Sequence, residues 1–126
     1  MPPRVIIADD NPIFREALKN LLESSNMEII GECGNGLETI QTVQKLSPDL
    51  LLLDISMPYF NGMDVLNILR KNYPNLKIIM LTMDSYLSKQ AIEAGANGYC
   101  TKICSPHHLI EGIKKVLKGE TFVYAE

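Results

Sequence analysis

The sequence predicts an α/β fold of the (βα)5 type, in which helices cover both faces of a doubly wound, five-stranded parallel sheet. Aliphatic segments recur five times in the 126 residues, and their starts lie about 20 to 27 residues apart, the length of one strand plus a crossover helix. The stretches between them carry apolar residues at helical spacing. Three of the segments contain uninterrupted apolar runs, as strands covered on both faces do. Together these observations favour alternating strands and helices.

The predicted strands differ in how apolar they are. They are Arg4–Ala8, Met27–Cys33, Leu50–Leu53, Lys77–Thr82 and Gly98–Thr101. The first, third and fourth contain the apolar runs and are expected at the centre of the sheet. The second mixes Glu28 and Glu32 with isoleucines, which is typical of an edge strand.

The first predicted helix has the clearest pattern. Asn11 is a suitable N-cap and Pro12 suits the first turn, and the apolar stripe that follows consists of Phe14, Ala17, Leu18, Leu21 and Leu22. The other predicted helices run from Asn35 or Gly36 to about Leu46, from Asn61 to about Asn72, from Ser85 to Ala94, and from Ser105 through Leu117.

Strand order follows from the handedness of the connections. Right-handed crossovers leave few topologies for such an array, and the flavodoxin-like order 2-1-3-4-5 is the natural one. We therefore predict one domain over residues 1–119, with residues 120–126 as the start of a linker or C-terminal tail.

Composition narrows the function classes. The chain is 46% hydrophobic and 21% charged, as ordinary globular proteins are. Its 12 basic and 15 acidic residues give a net charge of 12 − 15 = −3, which argues against binding of nucleic acid by these residues. The apolar runs are far shorter than the roughly 20 residues of a membrane span, and none resembles a signal peptide. Three cysteines without a disulfide framework suggest free thiols and a cytoplasmic location.

Polar residues stand where the predicted strands end. Asp9 and Asp10 follow the first strand, Asp54 follows the third, and Thr82 and Lys102 end the fourth and fifth. Ligands of open parallel sheets bind at this edge, so we expect these side chains to converge. Their charge of −3 + 1 = −2 would be neutralised by one divalent ion, and carboxylate oxygens suit Mg²⁺. A nucleophilic carboxylate beside a hydroxyl and an ammonium group is suited to phosphoryl chemistry.

These residues belong to a wider set of motifs, which resembles the receiver domain of bacterial two-component response regulators over essentially the whole chain. The motifs are Asp9-Asp10, Asp54 with Met57-Pro58 and Asn61-Gly62, Leu81-Thr82, and Gly95-Ala96-Asn97-Gly98-Tyr99 before Lys102.

The resemblance implies a role for each acid. Asp54 would be the phosphoacceptor, and its phosphoryl group would come from a sensor histidine kinase. Asp10, Asp54 and the backbone carbonyl of Ser56 would bind Mg²⁺ directly, while Asp9 would act largely through water. The protein would then be a signalling phosphoacceptor with only self-phosphorylation and self-dephosphorylation activity, not an enzyme.

The resemblance also implies a switch. Thr82 and Tyr99 would form it, the threonine hydroxyl following the phosphate while the aromatic ring turns inward. Tyr99 could instead be a half-buried aromatic residue of the strand. Ile103 stands where many receivers have proline, and Met83, directly after Thr82, is expected either at the mouth of the site or in the core.

Finer details resemble the NarL/FixJ group of transcriptional regulators, notably Arg4 to Asp10, Phe14-Arg15-Glu16, and Gly98-Tyr99 before Lys102. Such regulators carry a C-terminal LuxR-type helix-turn-helix domain that binds DNA and is absent from this chain. We expect a receiver fragment of such a regulator, which would form a homodimer on phosphorylation. The alternative is a stand-alone receiver that acts through protein–protein interaction.

Other readings fit less well. A haloacid dehalogenase phosphatase needs a second Asp two residues after the nucleophile, where this chain has Ser56. A flavin carrier would need a phosphate-binding loop where Asp9-Asp10 stands. A zinc site is a weak alternative, made from Cys100, Cys104, His107 and His108.

Overall fold

The computed structural model describes residues 1–125, over which six strands alternate with five helices. In chain order they are β1 Arg4–Ala8, α1 Pro12–Ser24, β2 Glu28–Cys33, α2 Gly36–Leu46, β3 Leu50–Asp54, α3 Gly62–Asn72, β4 Lys77–Thr82, α4 Ser88–Glu93, β5 Gly98–Thr101, α5 Pro106–Leu117 and β6 Phe122–Tyr124. Within the same residues, no helix has both the length and the apolar character that a membrane crossing requires.

All strands lie parallel in one sheet of order β2-β1-β3-β4-β5-β6. The predicted order 2-1-3-4-5 is therefore confirmed, and β2 is an edge strand as its glutamates indicated. In the register, Ala8 pairs with Leu53, and Thr82 pairs with Thr101. The carboxyl ends of β1, β3, β4 and β5 consequently meet at one edge of the sheet.

The prediction of five strands was one strand short. Phe122–Tyr124 pairs with β5, with Gly98 opposite Phe122 and Cys100 opposite Tyr124, so part of the predicted tail lies in the sheet. A strand of three residues is too short to show a period in the sequence. Its position depends on packing, because the Phe122 ring occupies the space that a Cβ atom would need at Gly112, 2.2 Å away.

The core consists of two apolar layers, one on each face of the sheet. Alternate strand residues point to opposite faces, so Leu51 and Leu53 face one layer while Leu50 and Leu52 face the other. Helices α2, α3 and α4 cover the first layer, and α1 and α5 cover the second. All four leucines are fully buried, as expected for a central strand.

Side chains cap four of the five helices in residues 1–125. Asn11, Asn35, Asn61 and Ser105 each accept a hydrogen bond from a backbone N–H of the first turn. Helix α4 begins at Ser88, three residues later than the predicted Ser85, and has no side-chain cap. The residues between β4 and α4 instead form a loop beside the candidate site.

Candidate functional site

Three carboxylates meet at the carboxyl edge of the sheet. One oxygen from each of Asp9, Asp10 and Asp54 lies within 4.8 Å of the others. Asp9 directly follows β1 and Asp54 is the last residue of β3, and both side chains are buried, while Asp10 is exposed. The predicted convergence of these residues is what parallel strands with aligned ends produce.

Lys102 supplies the positive charge among the acids. Its Nζ atom lies 2.7 Å from Asp9 Oδ2 and 3.4 Å from Asp54 Oδ2, and its side chain is only 14% exposed. Its backbone N–H donates to the carbonyl of Thr82, which fixes the start of the loop after β5 on the end of β4. The lysine is thus held on both its backbone and its side chain.

Sequence reasoning missed a further neighbour of this lysine. Lys102 Nζ lies 4.6 Å from the centre of the ring of Phe14, a residue of α1. In the sequence, Phe14 was assigned to the apolar stripe of α1. Phe14 has the helical spacing of a core residue. Nothing in the neighbouring sequence therefore distinguishes a ring that packs in the core from one that contacts the lysine.

Asp9 is linked both to the start of α1 and to Lys102. Its Oδ1 atom accepts a hydrogen bond from the backbone N–H of Asn11, and its carbonyl accepts one from Arg15 Nη1. The buried Oδ2 atom forms an ion pair with Lys102 at 2.7 Å and has no other polar partner among residues 1–125. Such an atom has capacity left for a bound cation or a water attached to one.

Burial raises the pKa of Asp54 to about 6, and the neighbouring Asp9 carboxylate contributes in the same direction. Lys102 and the backbone N–H of Ser56, which lies 3.3 Å from Asp54 Oδ1, oppose this increase. The lysine alone therefore does not offset the cost of charging Asp54. An oxygen-only donor set with excess negative charge fits a hard divalent cation such as Mg²⁺.

An open cleft borders the acids. Its lining includes Asp10, Ser56, Met57, Asp84 and Tyr86, so solvent and a small donor can approach the exposed acid and the backbone of Ser56. A larger cleft lies at the amino ends of the strands, beside Asp49 and Lys77, away from the acids.

Thr82 and Tyr99 are both tied to the backbone of Asp84. The Thr82 Oγ1 atom accepts a hydrogen bond at 3.2 Å from the Asp84 N–H, and the Tyr99 hydroxyl donates to the Asp84 carbonyl. Tyr99 is completely buried, not half-buried, and this burial raises the pKa of its phenol. The two predicted switch residues thus share one point of attachment, Asp84, which the sequence did not reveal.

Met83 is 70% exposed, which excludes the alternative that it packs into the core. Its expected position at the mouth of the site stays a prediction.

The prediction of free thiols was wrong for two of the three cysteines. Cys100 and Cys104 form a disulfide, with Cα atoms 6.8 Å apart, while Cys33 is free and buried. The chain turns tightly after β5, where the Cys104 N–H donates to the Thr101 carbonyl, and this turn brings the two residues together. Four residues of separation gave no recognisable spacing in the sequence.

The residues of the weak zinc alternative have other contacts. Both Cys100 and Cys104 belong to the disulfide, the His108 Nδ1 atom lies 2.8 Å from Ser105 Oγ, and the His108 ring stacks on Tyr124. These contacts account for their proximity without a metal.

Comparisons with known proteins agree with this geometry. The sequence model of a family described as the response regulator receiver domain matches residues 5–114. The chain is 37% identical over 121 residues to the nitrate/nitrite response regulator protein NarP of Escherichia coli strain K12, covering 94% of this chain and 56% of NarP. It is 35% identical over 120 residues to the chemotaxis protein CheY of Thermotoga maritima, covering 94% of this chain and all of CheY.

Among solved structures, a LuxR-family two-component response regulator from Aurantimonas sp. SI85-9A1 superposes with a TM-score of 0.92 at 27% identity, covering 99% of this chain and 91% of that one. The chain spans about half the length of the transcriptional regulators that it matches.

Proposed function

Because this chain belongs to the response regulator receiver domain family, and its relatives include LuxR-type regulators, we propose that Asp54 accepts a phosphoryl group from the phosphohistidine of a sensor histidine kinase. The sequence-based prediction of this family is confirmed. Receiver domains are signalling proteins and not classical enzymes. The observation that carries the proposal is the buried Asp54 carboxylate, which lies beside Lys102 and within reach of two further acids.

The proposed reaction is a nucleophilic displacement at phosphorus. A carboxylate oxygen of Asp54 forms a bond to the phosphorus atom, the P–N bond breaks, and its electron pair leaves with the imidazole of the donor. Lys102, 3.4 Å from Asp54 Oδ2, is close enough to pair with a phosphoryl oxygen after a small movement. Its positive charge would stabilise the negative charge that these oxygens carry.

We assign the Mg²⁺ site to Asp10, Asp54 and the backbone carbonyl of Ser56, with Asp9 acting largely through water. The proximity of the three carboxylates, which carry more negative charge than the one lysine offsets, supports this donor set. When bound, Mg²⁺ offsets the charge of the acids and of the incoming phosphoryl group. We expect Asp10→Ala to remove both Mg²⁺ binding and Mg²⁺-dependent labelling.

Phosphorylation would be transmitted through Asp84. In the proposed switch, the Thr82 hydroxyl gives up the Asp84 N–H and binds a phosphoryl oxygen. Because the Tyr99 hydroxyl donates to the carbonyl of the same residue, movement of this loop would alter the contacts of the tyrosine. The equilibrium between two arrangements of the loop would thereby shift.

The output belongs to the whole protein and is proposed from the relatives. One solved structure similar to this chain describes RcsB dimers bound to DNA. By analogy we propose a transcriptional regulator that forms a homodimer on phosphorylation and contacts DNA through a C-terminal domain outside these residues. Its proposed cytoplasmic location rests on this likeness to transcriptional regulators and not on the cysteines. The alternative is a stand-alone receiver acting through protein–protein contacts, which the full-length match to CheY of Thermotoga maritima supports.

The phosphoacceptor is tested with acetyl phosphate and Mg²⁺. We expect one acid-labile phosphoryl group per parent chain by intact mass, and none on Asp54→Asn. The matched control is Asp49→Asn, which removes an acid at the opposite end of the sheet and should be labelled like the parent. Stoichiometric labelling of Asp54→Asn, mapped to another residue, would disprove the assignment.

A further inference from the structure

The Lys102 ammonium group has two acids and an aromatic ring as close neighbours. Asp9 and Asp54 approach it at 2.7 and 3.4 Å, and the centre of the Phe14 ring lies 4.6 Å away. A cation at this distance is attracted by the negative face of the ring. Because the lysine side chain is only 14% exposed, little water competes with the ring for it.

We infer that Phe14 is a positioning residue of the phosphoryl-transfer site, because its ring holds the Lys102 ammonium group where it can pair with a phosphoryl oxygen on Asp54. This inference rests on the proposed function. Phe14 acts through the lysine and is not itself in contact with the reacting atoms.

The backbone of Phe14 is fixed relative to the acids. Its N–H donates to Asn11 Oδ1 at 3.2 Å, and the Asn11 N–H donates to Asp9 Oδ1 at 2.8 Å. The ring is partly buried against the apolar layer that α1 and α5 cover. One edge of the site, from Asp9 to the aromatic ring, is therefore a single hydrogen-bonded unit at the start of α1.

A ring is suited to this task for an electrostatic reason. The ammonium group lies closer to Asp9 than to Asp54, yet the proposed reaction needs it near the phosphoryl oxygens. A carboxylate in place of the ring would compete with Asp9 and Asp54 for the lysine. Its negative charge would also raise the pKa of Asp54 further. The ring attracts the cation without adding net charge, and it excludes water from one side of the site.

The competing explanation is that Phe14 only packs against the apolar layer. The two explanations depend on different properties of the Phe14 side chain. Packing depends on the shape and volume of the ring, whereas attraction of a cation depends on the electron density of its face. Fluorination changes the electron density strongly and the volume little, so it separates them.

The test introduces phenylalanine analogues with increasing fluorine content at position 14 of the whole chain and measures initial rates of labelling by acetyl phosphate with saturating Mg²⁺. We expect the logarithm of the rate to fall steadily with fluorination, by about tenfold for the most fluorinated ring. Phe14→Trp should stay close to the parent, since indole binds cations best, and Phe14→Leu should resemble the fluorinated proteins. The matched control is the same analogue series at Phe122, which packs on Gly112 and should leave the rate unchanged.

Two outcomes of the labelling experiment distinguish failure of this inference from failure of the proposed function. A flat series at position 14 in a protein that is labelled normally overturns the inference and leaves the proposed function intact. Failure of the parent to accept phosphate at all overturns the proposed function and, with it, the role of Phe14. The contact itself is read by NMR, where the ε-methylene protons of Lys102 should show an upfield ring-current shift that Phe14→Leu abolishes. Absence of this shift in the folded parent would also overturn the inference.

Discussion

Asp54 is a carboxylate whose charge is unfavourable in the folded protein. Its pKa is raised from 3.8 to about 6, chiefly by burial and then by Asp9. The folded state therefore holds the proton more tightly than the unfolded state does. The contribution of Asp54 to the free energy of unfolding should therefore be most favourable when the carboxyl is protonated, and it should fall as the pH rises from about 4 through 6. The group that makes the site reactive thus lowers the stability of the metal-free protein.

This pH dependence gives a prediction about Asp54→Asn in the presence of EDTA. At pH 8 the variant should be more stable than the parent by up to about 3 kcal/mol, because the neutral amide avoids the cost of an ionised buried carboxylate. The difference should shrink as the pH is lowered from 6 to 4, where the parent becomes protonated. Urea unfolding at several pH values measures both effects, and Asp49→Asn reports the result of removing an acid elsewhere. Equal or lower stability of Asp54→Asn at pH 8 would contradict the prediction.

At the scale of elements, the loop between β5 and α5 matters because it carries Lys102, the lysine of the site. Lys102 lies midway between Cys100 and Cys104, so the disulfide closes a small ring of chain around the lysine. One end of this ring is buried in β5, and the other packs at the margin of the layer covered by α1 and α5. The disulfide therefore restricts the backbone from which the lysine extends.

Thiol titration tests this arrangement. Under denaturing, non-reducing conditions the chain should show one thiol, that of Cys33, and three after reduction. Closure of so short a loop stabilises by about 2 kcal/mol at most, so reduction should lower the melting temperature by several degrees. Cys33→Ser should keep this response to reductant, whereas Cys104→Ser should lose it. Three titratable thiols in the unreduced protein would refute the disulfide.

At the scale of the whole molecule, charge limits what these residues can bind. The net charge of −3 disfavours the phosphate backbone of nucleic acids, and three acids meet at the carboxyl edge of the sheet. Phosphorylation of Asp54 would add further negative charge. Any contact of the proposed regulator with DNA would therefore have to come from residues outside this chain.

We predict that residues 1–126 show no measurable binding to duplex DNA at low salt, with or without acetyl phosphate. Fluorescence anisotropy of a labelled duplex measures this, with a basic DNA-binding protein as the positive control. Binding that weakens as salt is raised would show a phosphate-contacting surface on this domain and would disprove the prediction.

Sequence patterns predicted most of the sheet and much of the site for one physical reason: the relevant signals are local. Leu50–Leu53 is apolar because the strand is covered on both faces. The polar residue Asp54 follows because the carboxyl end of the strand lies at the site. Parallel strands with short connections then bring Asp9, Asp54 and Lys102 to one edge without further information. The grouping of these residues could therefore be predicted, although their individual contacts could not, and their roles stay predictions.

The remaining features depend on residues that are distant in the chain. Strand β6 forms because Phe122 fits over Gly112 and the edge of β5 is free to pair, and neither condition is visible in three residues of sequence. The disulfide depends on the turn after β5. Helix α4 begins three residues later than predicted. The residues before it form a loop instead, and Asp84 of this loop is hydrogen-bonded to both Thr82 and Tyr99.

The sequence by itself determined the parallel order of β1 to β5 and the grouping of polar residues at their carboxyl ends, because periodicity and strand-end polarity are written in neighbouring residues. Only the tertiary structure decided that the Phe14 ring faces Lys102, that Asp9 Oδ2 pairs with the same lysine, and that Asp84 joins the two switch residues. These contacts arise when separate elements pack together, and packing is set by the whole chain.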